Sequence, residues 1–239
     1  MLEASVAGRF ARDALALGEG EVCAVFQRGF YLRIATRYAC VGGAALGRGP
    51  LNALIEDFPR PAIGERLSVS VAALWEPPPF AGKLLDPNSL RKAKVPEEGF
   101  GCLIAGQHNV LSVHAQPALE ALDSWLVGNA LKTEIETIIG LGPGLTPSGD
   151  DYLGGVLIAL HALGRASQAG SLWRWLEPRL ARGTSAISAA HLAAAAAGQG
   201  HEALHEVLNG SGDVARLDGV GHCSGWDALA GALAVLRAS

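Results

Sequence analysis

The chain has 239 residues, 49% hydrophobic and 18% charged, which is enough to bury one or two hydrophobic cores and excludes an intrinsically disordered protein. Its net charge of −4 includes no long run of one sign, which argues against nucleic acid as a partner. No apolar stretch reaches the roughly 18 residues of a membrane span, and four cysteines without a CxxC pair predict a protein of the reducing cytoplasm.

The N-terminal part of the chain is predicted to be rich in β-strands. Residues 1–15 have the charge pattern of an amphipathic helix and lack the apolar core of a signal peptide. Aromatic and β-branched residues at 22–26 and 30–36 predict two strands joined by a turn, and residues 67–74 alternate in the same way. Residues 100–105 form a short apolar run that we include in this β-rich part.

The character of the chain changes after residue 112. Segments rich in Ala and Leu with helical spacing, separated by Gly or Pro, predict helices at 117–139, 149–163, 171–181, 184–197, 201–208 and 225–236. The fold class is therefore α+β, with a β-rich N-terminal domain (1–112, a small barrel or sandwich) packed on a C-terminal helical bundle (113–239). A proline-rich connection at 76–99 carries Arg91, Lys92 and Lys94, which we interpret as solvated surface.

Two related motifs mark the C-terminal half. GLGPGLTPSGDDYLGG spans residues 140–155, and GHCSGWDALAG spans residues 221–231. Aligned on their serines, both contain SGxDxLxG. A glycine-rich loop of this length is costly to order without a reason, so the repeat indicates a site that is built twice.

Each motif has the spacing of a capping box at the start of a helix. Ser148 and Ser224 would cap, and Asp151 and Asp227 would reach back to the cap residue. The glycine one turn further on in each motif leaves room for another helix to approach closely. We therefore predict that the two helices cross near their N-terminal ends and bring Asp151 and Asp227 into one cleft, related by approximate pseudo-symmetry.

The residue types at the motifs suit a small anionic substrate. Helix N-termini favour phosphate or carboxylate, but Asp150 and Asp151 would repel a bare dianion and better suit binding a substrate N–H, acting as a base, or holding a divalent cation such as Mg²⁺ with phosphate. The second motif adds His222 and is the better anion end. Our candidate catalytic residues are Asp150, Asp151, Asp227 and His222; the candidate substrate-binding residues are Gly142, Gly144, Thr146, Ser148, Gly149, Ser224, Gly225 and Thr184.

The two motifs also carry a family resemblance. GLTPSGDDxLxG followed by GHxSGxDxLxG resembles the family that contains the AllH-type subunit of oxamate carbamoyltransferase, from anaerobic allantoin breakdown, a part of purine catabolism. The resemblance extends more weakly to Gly49, Pro50, Thr184, Ser188 and Gly198. It implies transfer of a carbamoyl group from carbamoyl phosphate to the amide nitrogen of oxamate, giving oxalurate, in an enzyme of several subunits or a self-associating one.

Three other interpretations stay open at this point. HEALH at 201–205 matches the HExxH pattern of zinc hydrolases, with Glu202 as general base, although residue 208 departs from its longer form and no third ligand stands out. Cys223 could be a thiolate nucleophile, although a cysteine near a helix cap is more often inert packing. Finally, the chain could be a non-catalytic binding or scaffold subunit. No nucleotide-cofactor fingerprint is present.

Overall fold

A computed structural model of the chain describes residues 1–80, 85–90 and 93–239. The chain forms two compact units, Met1–Pro78 and Pro79–Ser239. The expected boundary between residues 112 and 113 falls inside a helix of the second unit. The expected α+β class is confirmed.

The first unit is a small β structure with one helix. Its elements are β1 (Leu2–Ala4), β2 (Val6–Gly8), α1 (Arg9–Leu15), β3 (Gly20–Phe26), β4 (Gly29–Ile34), β5 (Arg37–Gly42), β6 (Asn52–Leu54), β7 (Arg66–Leu67), β8 (Val69–Val71) and β9 (Leu74–Trp75).

Strand pairing closes this unit into a small barrel. The order β7-β3-β4-β5-β6-β2-β9 runs through one sheet, and β1 pairs with β8. Because β7, β8 and β9 follow one another along the chain, the same run of residues pairs first with β3 and then with β1 and β2. Closure leaves few unpaired strand edges, and the buried face of α1 joins the barrel core.

The first fifteen residues differ from the expected single helix. Two short strands, β1 and β2, precede α1. The barrel supplies strand partners for β1 and β2 that sequence periodicity does not reveal. The predicted hairpin at 22–36 and the strand at 67–74 are present as β3, β4 and β7–β9.

The second unit is helical. Its α-helices are α2 (Val110–Leu126), α3 (Ser148–Ala162), α4 (Ala166–Gly183), α5 (Ala186–Ala196), α6 (Glu202–Leu208) and α7 (Ser224–Arg237); 3₁₀ turns cover Pro87–Leu90, Gly101–Ala105, Thr133–Ile138 and Val214–Gly219. None of the helices in the described ranges combines the length and apolar character that a bilayer crossing requires.

Two predictions about this unit were wrong in detail. The apolar run at 100–105 is a 3₁₀ turn. The helix expected at 117–139 is α2, which starts earlier because Asn109 and Ser112 form a capping box, followed by a separate 3₁₀ turn. The other five helices lie close to their predicted positions. Helix α3 is buried on nearly every side, which makes it the centre of the unit.

Candidate functional site

Helices α3 and α7 cross in backbone contact through the two motif glycines. A Cβ atom on Gly155 would collide with the carbonyl oxygen of Ala228, and one on Gly231 would collide with the carbonyl oxygen of Tyr152. Tyr152 and Ala228 occupy the same position in the two copies of the motif. The contact is therefore reciprocal, as expected if the two copies of the motif are related by pseudo-symmetry.

The predicted capping boxes are absent from both helices. Pro147 is the N-cap of α3 and Cys223 is the N-cap of α7, and neither makes a side-chain cap bond. The serines are instead the first helical residues. Their hydroxyls lie beside the aspartate of the other copy, Ser148 near Asp227 and Ser224 near Asp151. The motif serines and aspartates have the spacing of a capping box. In the packed structure, however, the serine side chains contact the neighbouring helix and do not cap their own.

The first motif loop also reaches the second motif. Thr146 Oγ1 lies 3.0 Å from Ser224 Oγ, within hydrogen-bond distance. The Thr146 hydroxyl also lies close enough to Asp151 to lower the pKa of its carboxyl group. Polar groups of both motifs therefore meet at one place, as the sequence predicted.

Asp227 is held by backbone groups that sequence analysis did not identify. Its Oδ1 accepts hydrogen bonds from the backbone N–H of Phe100 at 2.5 Å and of Gly101 at 3.2 Å. Asp227 is 1% exposed. Gly99 has a φ of +71°, and a Cβ there would collide with the Asp227 carboxylate. The glycines in EEGFG are the only sequence signal for this contact.

Both carboxylate oxygens of Asp150 accept hydrogen bonds from other parts of the fold. Its Oδ1 accepts from the backbone N–H of Gly140 at 2.8 Å. Its Oδ2 accepts from the hydroxyls of Thr184 and, at 2.6 Å, Ser188. Asp150 therefore ties the motif loop and α3 to the start of α5. The structure brings Thr184 to Asp150, and Ser188 was identified only through the family resemblance.

Asp151 is partly exposed as a residue, but its Oδ2 atom is buried. Neither this atom nor Asp227 Oδ2 has a hydrogen-bond partner among the described residues. A buried carboxylate oxygen without a donor is costly. The two oxygens lie where α3 and α7 cross, on the aspartates that have the Ser224 and Ser148 hydroxyls beside them.

The environment raises the pKa of both aspartates. Burial raises the pKa of Asp151 well above its usual range; the charges of Asp227 and Asp150 raise it further, and the Ser224 and Thr146 hydroxyls oppose them. Burial also raises the pKa of Asp227, to about 6, against the lowering effects of the Ser148 hydroxyl and two backbone N–H groups. Both shifts therefore favour the protonated form of these carboxyl groups.

These shifts predict how stability depends on pH. A folded state that holds protons after the unfolded chain has lost them becomes less stable as pH rises. For Asp227, this contribution is complete below about pH 4 and is lost as pH rises through about 6, a change on the order of 3 kcal/mol. We therefore expect the difference in free energy of unfolding, Asp227→Asn minus wild type, to increase by about 3 kcal/mol as the pH is raised from 4 to 8.

Urea unfolding followed by far-UV circular dichroism at several pH values measures this difference. The exposed Asp57→Asn variant is the control and should show no such trend. A difference between Asp227→Asn and the wild type that is constant with pH would contradict the assignment.

The predicted substrate-binding glycines shape the loop around the crossing. Gly142 (φ +115°) and Gly144 (φ +96°) have left-handed conformations that favour glycine. A Cβ on Gly149 would collide with the carbonyl oxygen of Ile138, and one on Gly225 would lie 2.7 Å from that of Leu217. Gly149 and Gly225 therefore serve close packing, and substrate binding by these glycines stays a prediction.

His222 and Cys223 lie at the outer edge of the crossing. His222 Nε2 lies 2.8 Å from Glu98 Oε2, and the His222 side chain is 83% exposed. Burial and the nearby charges of Asp227, Glu98 and Asp151 raise the pKa of the Cys223 thiol to about 11. A neutral thiol does not support the nucleophile interpretation.

The HEALH segment does not form the zinc site that its pattern suggested. His201 is the N-cap of α6, and its Nδ1 accepts from the backbone N–H of Ala203 at 3.2 Å. His205 is 1% exposed, its Nε2 accepts from the N–H of Gly200 at 3.0 Å, and its ring stacks on Phe80. These contacts use the two imidazoles for helix capping and packing.

Metal-binding groups of the described part of the chain do not converge on the motif aspartates. Among the described residues, one set of three metal-ligating side chains does come together, Glu98, His222 and Cys223, and it includes none of these aspartates. Asp150 has both oxygens engaged by donors, and a Mg²⁺ ion held together with phosphate stays a prediction. Arg91 and Lys92 lie outside the described residues.

Comparison with known proteins supports the identification made from the motifs. No curated protein and no solved structure shows significant similarity to the chain. Residues 138–236, which include both motifs and the helices that carry them, match the family described as oxamate carbamoyltransferase subunit AllH, and the resemblance is thus confirmed over this segment.

Proposed function

We propose that this chain is a carbamoyltransferase subunit whose substrate site lies where α3 and α7 cross. The observation that carries the proposal is the convergence of Asp151 and Asp227 from duplicated motifs, within the segment that matches the carbamoyltransferase subunit family. The reaction would join carbamoyl phosphate and oxamate to give oxalurate and phosphate.

The protonation of the site removes the main objection to an anionic substrate. The sequence places three carboxyl groups at helix N-termini, and three negative charges would repel phosphate or oxamate. Asp150 is occupied by three donors, and burial raises the pKa of Asp151 well above its usual range, which favours its neutral form. The N-terminal ends of α3 and α7 then attract an anion with less opposition.

The aspartate pair supplies both proton transfers that the reaction needs. The amide nitrogen of oxamate forms a bond to the carbamoyl carbon and loses a proton, while the bond from that carbon to the phosphate oxygen breaks. Asp151, as the partly exposed acid, donates a proton to the leaving phosphate. The pair, with Asp227 mostly ionised, accepts the amide proton, so its own protonation is unchanged after one turnover.

These roles differ from those expected from the sequence. Asp150 and Asp151 were expected to bind a substrate N–H, act as a base or hold a cation, and the second motif was the expected anion end. In the proposal Asp150 positions the loop, Asp151 is the acid, and Asp227 belongs to the base. Ser224 and Thr146 orient the Asp151 carboxyl group from the loop side. His222 is placed at the rim, where its exposed ring pairs with Glu98.

Asp151→Asn tests the proposal. We expect this variant to keep its fold and lose turnover by roughly 10²–10⁴-fold, because an amide cannot donate a proton to phosphate. The assay measures oxamate-dependent phosphate release from carbamoyl phosphate, with the chain alone and with the complex purified from its native cell. Glu202→Gln is the control and should retain turnover. Full activity of Asp151→Asn would refute the acid role.

A non-catalytic substrate-binding subunit is the second candidate, because Gly155, Gly231 and Asp150 are all used for packing. Calorimetric titration with carbamoyl phosphate separates the two candidates. Binding without turnover in every preparation would favour the second candidate. Turnover that depends on Asp151 would favour the first.

A further inference from the structure

Glu98, His222 and Cys223 bring three different metal-ligating atoms together at the N-terminal end of α7. The carboxylate oxygen, imidazole nitrogen and thiol sulfur all lie within 4.8 Å of one another. Tetrahedral zinc, with bonds of about 2.0–2.3 Å, needs ligand atoms about 3.3–3.8 Å apart. Small side-chain rotations would therefore bring these atoms to coordinating positions.

The two chain segments that carry these ligands are held together by the buried contact already described. Glu98 and His222 are 124 positions apart. Asp227, in the first turn of α7, binds the backbone N–H groups of Phe100 and Gly101, two and three residues after Glu98. The separation between Glu98 and His222 is thereby limited by the fold, as a pre-organised site requires.

The backbone at both segments is shaped by glycines and by one amide side chain. Gly99 (φ +71°) follows Glu98, and Gly221 (φ +63°) precedes His222. Asn109 Nδ2 donates to the carbonyl oxygens of Glu97 at 2.8 Å and Gly99 at 2.7 Å. These contacts fix the turn that presents Glu98, in the manner of an outer shell around a metal ligand.

We propose that Glu98, His222 and Cys223 bind a divalent transition-metal ion of the Zn²⁺ type. One oxygen, one nitrogen and one sulfur suit Zn²⁺, Co²⁺ or Fe²⁺, whereas Mg²⁺ and Ca²⁺ prefer oxygen ligands alone. Three protein ligands leave a fourth position for water or an anion. The side chains of Glu98 and His222 are 72% and 83% exposed, so an ion reaches these two ligands directly from solvent, whereas Cys223 is buried.

A metal ion bound at this position would lie next to the second motif. Cys223 is the N-cap of α7 and directly precedes Ser224 of the second motif. An ion here would place positive charge at the outer edge of the α3–α7 crossing. This inference rests on the three ligands and is independent of the proposed reaction.

Titration of the full, chelator-stripped chain with Co²⁺ tests the site. We expect one ion per chain, a thiolate-to-cobalt charge-transfer band in the near ultraviolet and intense visible bands of four-coordinate cobalt. Zn²⁺ should displace the cobalt and abolish both the charge-transfer band and the visible bands. Binding should release protons, because the thiol must ionise to coordinate.

Single substitutions separate this site from adventitious binding. Cys223→Ser should abolish the charge-transfer band, and His222→Ala or Glu98→Gln should weaken binding by roughly 100-fold or more. His222 and Glu98 are exposed, so these two variants report on the site even if Cys223→Ser unfolds. The matched controls Cys23→Ser, His114→Ala and Glu97→Gln should bind cobalt like the wild type. Absence of the thiolate band, or its loss in Cys23→Ser, would overturn the proposal and leave an exposed histidine–glutamate pair.

Discussion

We expect Gly155→Ala to destabilise the helical unit by about 3 kcal/mol or more. The added methyl group would overlap the carbonyl oxygen of Ala228 on α7. A backbone atom cannot rotate away as a side chain can, so the two helices must separate along their most closely packed contact. Gly231→Ala should have a similar effect, because it meets the carbonyl oxygen of Tyr152 in the symmetry-related position.

The neighbouring Gly154 provides a matched control in the same helix. A Cβ there would lie 3.7 Å from the Cβ of Ala195, an ordinary contact. Because alanine favours a helix over glycine, Gly154→Ala should be neutral or stabilise by up to about 1 kcal/mol. Urea unfolding followed by far-UV circular dichroism compares the variants. Equal effects of the substitutions at 154 and 155 would show that the helices do not cross at Gly155.

We expect Asp150→Ala to be the second strongly destabilising change, by about 3–5 kcal/mol. The substitution leaves the Gly140 N–H and the hydroxyls of Thr184 and Ser188 without their acceptor. Asp150 is only 2% exposed, so water does not readily replace it. The motif loop and the start of α5 should separate, with faster amide hydrogen exchange at residues 140–147.

Ser188→Ala is the graded control for this prediction. It removes one of the three hydrogen bonds and should cost about 1–2 kcal/mol. Comparison with Asp151→Asn then separates the two adjacent carboxyl groups, since the latter should lose turnover and keep its stability at pH 7. An Asp150→Ala protein that is as stable as the wild type but inactive would instead assign Asp150 to the chemistry.

Most of the element types could be predicted from the sequence. The strands of the barrel hairpin and five of the helices of the second unit have clear periodicity, and Gly or Pro ends them at predictable places. The predictions were wrong where an element depends on contacts with distant parts of the chain. Strands β1 and β2 exist because β6, β8 and β9 pair with them, and residues 100–105 form a 3₁₀ turn whose backbone binds Asp227.

The candidate site, too, could be predicted from the sequence only in part. The repeated SGxDxLxG pattern was sufficient to predict that α3 and α7 meet through Gly155 and Gly231, because only glycine permits that approach. It could not show that Ser148 and Ser224 lie beside the opposite aspartates. Capping and cross-helix contact use the same residue types at the same spacing, so only the packed structure distinguishes them.

The sequence by itself determined the α+β class, the duplicated motif, the meeting of the two acidic helix starts and the family resemblance. These features depend on periodicity and residue identity, which are local properties of the chain. Only the tertiary structure decided that Asp150 is held in a hydrogen-bond network, that Asp151 and Asp227 lie close together, and which residues face Glu98. Burial, hydrogen-bond partners and pKa shifts depend on distances between segments far apart in sequence, and those distances exist only once the helices have packed.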